Sequence, residues 1–262
     1  MDKFSQIIMY NKKDILTYVL ILTGIMFFHV YSIISSYKNE EFSDIDFVYL
    51  SLPLLCAVFS FWVAKHANFS DVFGKAYVSL SIAFIFLFCA EFTYVIVYEI
   101  ILQQDPYPSF ADIFYLLFYP FAIYHITKTI NHFLDIQVRH YIIIAGIVSL
   151  ITITYFGLSF DGVVDDVFLL GIVSVFASSL VFSLSIVAFL AFQKGEMGKV
   201  WFILSLGIFL HIFANVWYYY LEMFEAYSGT HIVNTLWVAS WIVICYALIL
   251  HKKMISYKKN NT

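Results

Sequence analysis

The stretch QQDPYPSFADIFYLLFYPF, residues 103–121, joins a polar, proline-containing loop directly to a segment apolar enough for a membrane interior. Pro106 and Pro108 have no backbone N–H group and stiffen the loop. Ser109, with Asp112 three residues later, has the spacing of a capping pair, in which side chains satisfy backbone N–H groups of the first turn. An acidic side chain is also favoured at the N-terminal end of a helix. The stretch therefore predicts a helix that begins at the edge of a bilayer.

Further stretches of the chain are as apolar as this one. A window of about 20 apolar residues is long enough to cross a hydrocarbon core about 30 Å thick. The composition agrees, because 62% of the 262 residues are hydrophobic, 21% are aromatic and only 12% are charged. The predicted spans, numbered 1 to 8, cover about 15–35, 47–65, 76–102, 111–130, 140–158, 166–192, 200–222 and 232–250. The predicted fold class is therefore an all-α integral membrane protein with eight transmembrane helices.

The basic residues predict the orientation of the spans, because Lys and Arg near span ends are retained on the cytoplasmic side. Thirteen of the fourteen basic residues fall on one side of the predicted bundle, and only Lys38 falls on the other, where the loops are acidic. We therefore predict a multi-pass protein of the cell (inner, cytoplasmic) membrane with cytoplasmic N- and C-termini. The expected partner is the lipid bilayer. The net charge of −4, with an acidic outer face, argues against nucleic acid as a partner.

The two halves of the chain carry matching polar and aromatic positions, which predicts a duplicated unit. Four spans in each unit give both copies the same orientation. The matching segments are AEFTYVIVYE (90–99) with ANVWYYYLE (214–222), and FADIFYLLFYPF (110–121) with VNTLWVASWIVI (233–244). The aligned pairs are Glu91 with Asn215, Tyr94 with Tyr218, Asp112 with Asn234, Tyr115 with Trp237, and Tyr119 with Trp241. We predict a single membrane domain of two parallel four-helix repeats, 1–135 and 136–262.

Glu91 is the most informative ionisable residue, because its position in span 3 places it near the middle of the bilayer. It lies about eleven residues, or roughly 16 Å, below the outer end of the span. With no basic residue at that depth, the carboxyl must be protonated, hydrogen-bonded to Tyr or His, or hydrated in a cavity. Each of these options implies a polar interior.

Polar and aromatic residues of spans 1, 3, 4, 7 and 8 lie at a similar or shallower depth, so we expect them to converge in the outer half. On span 7, His211, Asn215 and Tyr218 share one stripe of the helix. Interface belts and helix packing are an alternative explanation for such residues. The candidate ligand-binding residues are Glu91, Tyr94, Tyr98, Asp112, Tyr115, Tyr119, His211, Asn215, Tyr218, Asn234, Trp237, Trp241 and His29. Asp112 and Tyr115 are expected to roof a pocket with Glu91 at its floor.

The motif P-x-P-S-x-A-D-x-x-Y-L, present as PYPSFADIFYL from Pro106 to Leu116, resembles that of multi-helix membrane regions at the N-termini of some bacterial diguanylate cyclases and sensor histidine kinases. The similarity extends to the acidic residue followed by aromatics in span 3 and to NTLW in span 8. It implies a sensory module with a cytoplasmic or membrane signalling partner. Two features depart from that family: Asn215 and Asn234 stand where Asp is common, and no output domain is expected after span 8.

Three functional classes fit a polytopic chain of this kind. An aromatic and polar pocket that opens to the outer face favours a sensor-like or small-ligand-binding module. An ion- or proton-coupled transporter is an alternative, although such proteins often have broken helices at matching places in both halves. Pro53 and Pro120 are the only prolines inside spans, and Pro120 has no counterpart in span 8.

An intramembrane His-dependent hydrolase is the third class, and the sequence favours it least. The histidines of the spans lie at different depths, and none forms an H-x-x-x-H pair. Cys56, Cys89 and Cys245 each lie inside a span without CxxC spacing, so no disulfide framework is expected. No catalytic or metal-ligating residue and no cofactor is assigned from the sequence, and an unknown small ligand is the expected partner of the pocket.

Overall fold

The computed structural model describes residues 12–36, 44–104, 106–133, 135–160, 162–192, 197–224, 226–228 and 230–260. These residues form helices and no strand, and eight helical segments are long and apolar enough to cross a membrane. The helices are α1 (Lys12–Ser36), α2 (Asp44–His66), α3 (Val72–Phe92), α4 (Ala111–Phe133), α5 (Val138–Ser159), α6 (Asp166–Phe192), α7 (Met197–Met223) and α8 (Ile232–Asn260). A π-helix, Thr93–Leu102, continues α3 directly. The predicted all-α, eight-span membrane fold is confirmed.

The helices differ in how much of their surface lies inside the bundle. About half or more of the apolar window is buried in α7 (56%) and α8 (61%), against 11% in α1 and 17% in α5. Each helix satisfies its own backbone hydrogen bonds, as a bilayer interior requires. The central helices α7 and α8 are therefore placed to carry a polar interior, whereas α1 and α5 mainly face lipid.

Neighbouring helices pack in two groups that meet along two seams. In the first group α3 packs against α2 and α4, and in the second α7 packs against α6 and α8. The seams are formed by α2 with α8 and by α4 with α6. Small residues permit close approach: a Cβ atom at Gly207 of α7 would lie 2.7 Å from the Ile244 side chain of α8. The two-repeat organisation of the chain stays a prediction.

The last helix is longer than the sequence predicts. Span 8 is predicted to end near residue 250, whereas α8 continues to Asn260. Lysine has good helix propensity, so the basic segment extends the helix beyond the apolar window. His251 is fully buried and its Nδ1 is hydrogen-bonded to the Tyr77 hydroxyl of α3, while the Lys252 ammonium lies 3.6 Å from the ring centroid of Trp62. The start of the basic tail is thus part of the packed bundle.

The two ends of the bundle differ in charge among the described residues. The basic end carries Lys65, Lys75, Lys128, Arg139 and Lys199, and the acidic end is the opposite one, where α4 and α8 begin. Which end faces the cytoplasm stays a prediction. Three of the basic residues used for that prediction, Lys3, Lys38 and Lys194, lie outside the described residues.

Candidate ligand-binding cavity

A cavity of about 440 Å³ lies between the helices at the acidic end. Its walls come from α1, α2, α3 with its π-helical continuation, α4, α7 and α8. The volume falls within the range of small-molecule sites, about 300–1,000 Å³. Glu99, near the end of the π-helix, is exposed, whereas Glu91 is 9% exposed. The cavity therefore runs from the acidic end into the apolar part of the bundle.

Most of the candidate residues meet at this cavity. Eleven of the thirteen line it: Glu91, Tyr94, Asp112, Tyr115, Tyr119, His211, Asn215, Tyr218, Asn234, Trp237 and Trp241. Tyr98 and His29 are not among its lining residues. The expected convergence in space is thus present for eleven side chains, and their role in binding a ligand stays a prediction.

Two carboxyl groups are held by residues of α4 and the loop before it. The hydrogen-bond partner of Glu91 is the side chain of Tyr115. Asp112 Oδ2 accepts hydrogen bonds from the Ser109 backbone N–H at 2.6 Å and from the Ser109 hydroxyl at 3.1 Å, and Ser109 Oγ accepts one from the Ala111 N–H at 3.2 Å. The predicted pairing of Ser109 with Asp112 is confirmed. It holds the Asp112 carboxylate at the start of α4, where the helix dipole favours it.

The deeper wall is a hydrogen-bond network centred on Asn215. Its Nδ2 donates to the Tyr119 hydroxyl at 3.1 Å and to Ser178 Oγ at 3.3 Å, while its Oδ1 accepts a hydrogen bond from Trp237 Nε1 at 2.8 Å. Tyr119 Oη and Ser178 Oγ are also 2.7 Å apart. The network joins α4, α6, α7 and α8 and fixes the rings of Tyr119 and Trp237 at the cavity wall.

Two tyrosines from the loops close the acidic end of the cavity. The Tyr227 hydroxyl donates a hydrogen bond to Asn234 Oδ1 at 2.7 Å, and Tyr107 packs edge-on against Tyr218 with ring centroids 5.8 Å apart. Burial raises the pKa of Tyr107, and the nearby Asp112 carboxylate raises it further. Burial likewise raises the pKa of Tyr227. Both phenols therefore stay neutral at physiological pH and can donate hydrogen bonds.

Three polar atoms of the lining are buried without a hydrogen-bond partner among the described residues. They are Trp241 Nε1, Tyr49 Oη and Tyr107 Oη. Trp241 is only 1% exposed, and its indole nitrogen can only donate. A buried polar group without a partner costs free energy, so each such group requires an explanation. Three residues of the cavity lining thus carry a buried polar atom whose hydrogen-bonding capacity is not met by the described residues.

The π-helix explains why Glu99, and not Tyr98, lines the cavity. On an α-helix, Tyr98 lies seven residues, or two turns, after Glu91 and on the same face. A π-helix bonds residue i to residue i+5, so its turns contain more residues and the spacing on one face increases. Glu99, eight residues after Glu91, therefore lines the cavity, and Tyr98 does not. The Tyr98 hydroxyl instead accepts a hydrogen bond from the Phe110 N–H at 3.3 Å.

His29 joins two helices outside the cavity. Its Nδ1 lies 2.8 Å from Thr235 Oγ1, so the ring links α1 to the first turn of α8. α1 packs against α8, which places the imidazole between these helices and away from the cavity lining. The helix-packing alternative describes His29 better than ligand binding does.

Several lining residues were missed by the sequence analysis: Asp46, Tyr49, Glu99, Tyr107, Tyr219 and Tyr227. Tyr219 lies eight residues after His211, on the stripe that also holds Asn215, so helical periodicity contained a signal for it. Asp46 and Tyr49 lie at the start of α2, and no sequence motif predicted that α2 packs against α8. Tyr107 and Tyr227 belong to loops, whose path the spacing of the residues does not predict.

Neither a cluster of metal ligands among the described residues nor similarity to known proteins adds a role for the cavity. In the part of the chain that the structure describes, no three His, Cys, Asp or Glu side chains are grouped as metal ligands. Comparisons with protein-family models, with curated proteins and with solved structures found no match. The resemblance to sensor membrane regions therefore depends on the motif residues, and the function has to be argued from the cavity.

Proposed function

We propose that the protein is a sensor-like membrane module that binds a small ligand in the cavity at the acidic end. The observation that carries this proposal is a cavity of about 440 Å³ lined by buried polar groups, including the unpartnered indole N–H of Trp241. By the distribution of Lys and Arg, this end faces the outside of the cell, so the ligand would enter from there.

A purely structural role does not account for the lining. Polar and ionisable side chains inside a membrane are costly, and those that serve packing are paired across helices. The Asn215 network fits that description, because each of its members has a partner. Trp241 Nε1 and Tyr49 Oη differ, since neither has a hydrogen-bond partner among the described residues. Both residues line a space large enough for a small molecule.

The sensory part of the proposal comes from the motif. Ser109, Asp112 and Tyr115 belong to PYPSFADIFYL, and all three line the cavity. The residues that carry the resemblance to sensor membrane regions are thus the residues that would contact the ligand. A signal would then pass to a protein partner at the basic end, which the orientation prediction places in the cytoplasm.

The proposal is tested by a substitution that fills part of the cavity with a larger side chain. Val95 is 4% exposed and lines the cavity, so Val95→Trp should occupy part of it. Val173→Trp on α6 is the matched control, because Val173 is 50% exposed on the outside of the bundle. We expect native mass spectrometry of nanodisc preparations to find a retained small molecule on the wild type and on Val173→Trp and to find it lost from Val95→Trp. No retained mass on the wild type, or equal retention by both variants, contradicts the proposal.

One observation favours a transporter as the second candidate. Irregular helices line the substrate sites of many transporters, and the π-helix Thr93–Leu102 lines this cavity. A second cavity of about 30 Å³ shares Tyr119, His211 and Trp241 with the first and reaches His125. The two functions differ in whether the ligand crosses the membrane. In proteoliposomes, a transporter would exchange the retained molecule between the two sides, whereas a sensor would only bind it.

A further inference from the structure

We infer, on the basis of the proposed function, that the ligand of the cavity is a small organic cation: an amine or quaternary ammonium compound that also carries a hydrogen-bond acceptor. Charge, aromatic geometry and the unpartnered Trp241 N–H point to this class separately.

The carboxyl groups of the lining disfavour an anionic ligand. Glu91 and Asp112 are both buried in the wall of the cavity, and Asp46 and Glu99 line it as well. None of the described lining residues is Lys or Arg, and His211 is the one His among them. An anion would be desolvated next to carboxyl groups, whereas a cation would be attracted to them. The cavity is therefore complementary to a positive charge.

Three aromatic rings near the acidic end contact Tyr218, and all four rings line the cavity. Tyr218 lies 4.9 Å from Tyr227 with an interplanar angle of 90°, and 5.2 Å from Trp237 with an angle of 60°, centroid to centroid. Tyr107 is in edge-to-face contact with Tyr218, with an interplanar angle of 84°. Aromatic rings that line a cavity can bind alkylammonium groups through cation–π attraction.

The indole N–H of Trp241 indicates which group the ligand carries besides its positive charge. Trp241 lines the cavity, and its buried Nε1 has no acceptor among the described residues. An indole N–H can only donate, so a hydroxyl, ether or carbonyl oxygen on the ligand would satisfy it. A bare metal cation is a poor fit, because a cavity of about 440 Å³ is far larger than an ion and the described carboxyls that line it are not grouped as ligands.

The experiment compares each amine with a compound of the same shape that lacks the charge. Tyramine is paired with 4-ethylphenol, choline with 3,3-dimethylbutan-1-ol, and 3-(4-hydroxyphenyl)propionate serves as the anion. Binding to the nanodisc protein is followed by tryptophan fluorescence, since Trp237 and Trp241 line the cavity, and by calorimetry. We expect at least one amine to bind about tenfold or more tightly than its neutral partner, because the neutral compound loses the charge and cation–π attraction.

Matched variants connect the preference to the site. Glu91→Gln and Tyr218→Leu should each weaken the binding of amines about tenfold. Glu91→Gln should leave the binding of the neutral compounds unchanged. Asp166→Asn and Phe213→Leu are the controls, because both residues are exposed and neither lines the cavity. Equal binding of each amine and its neutral partner, or a retained molecule that is neutral or acidic, overturns the inference and leaves the proposed function. No binding by any of the five probes together with no retained molecule overturns both.

Discussion

Asn215 shows how a single side chain can serve both packing and a site. It donates to Tyr119 and Ser178 and accepts from Trp237, so most of its hydrogen-bonding capacity is used within the protein. Two of its partners, Tyr119 and Trp237, present their rings to the cavity. Hydrogen bonds between membrane helices are individually modest, so the main consequence of the network is the fixed position of these rings.

A double-mutant cycle tests this network. Asn215→Leu removes the acceptor of Trp237 Nε1, and Trp237→Phe removes the donor, so the second change should cost little once the first has been made. We expect a coupling of about 0.6–1.7 kcal/mol in the free energy of unfolding, the range found between membrane helices. Unfolding of the four proteins in mixed detergent measures it. Strictly additive effects would mean that the bond between Asn215 and Trp237 does not form in the membrane.

At the scale of the helices, hydrophobic length was enough to predict the spans but not their internal geometry. Windows of about 20 apolar residues correspond to α1 to α8. Inside a bilayer an apolar segment forms a helix because a helix satisfies its own backbone hydrogen bonds. The π-helix Thr93–Leu102 had no signal in apolar periodicity, and it moved Glu99 into the cavity lining in place of Tyr98. The end of α8 was also missed, since lysines continue a helix beyond the membrane.

The contact between α2 and α8 yields an element-scale prediction. Cys56 of α2 and Cys245 of α8 are buried, and their Sγ atoms lie 3.1 Å apart. Two thiols this close need little movement to reach disulfide geometry. In a Cys89→Ala protein with a protease site between α4 and α5, copper phenanthroline should link the two fragments until a reductant is added. A Cys56→Ala protein that keeps Cys89 and Cys245 is the control, and its fragments should separate. If the fragments that carry Cys56 and Cys245 separate after oxidation and before reduction, the packing of α2 against α8 is contradicted.

For the whole molecule, residues inside one helix could be placed by depth and periodicity, whereas contacts between distant helices could not. Glu91, Asp112 and Asn215 were predicted because each is polar in an apolar span and lies at a similar depth. Tyr49 was missed because its place in the lining depends on α2 packing against α8, two helices far apart in the sequence. Loop residues such as Tyr107 were missed because depth and periodicity apply only inside spans.

The last prediction concerns the orientation of the whole bundle, on which the outward-facing cavity depends. Arg139 in the first turn of α5 and Asp166 in the first turn of α6 are both exposed and lie at opposite ends of the bundle. The excess of Lys and Arg near Arg139 predicts that this end lies in the cytoplasm, because basic residues are retained there. With the three native cysteines replaced by alanine, Asp166→Cys should react with an impermeant maleimide on intact cells. Arg139→Cys should react only after the membrane is permeabilised. The reverse pattern would place the acidic cavity on the cytoplasmic side, and the ligand would then have to be an intracellular molecule.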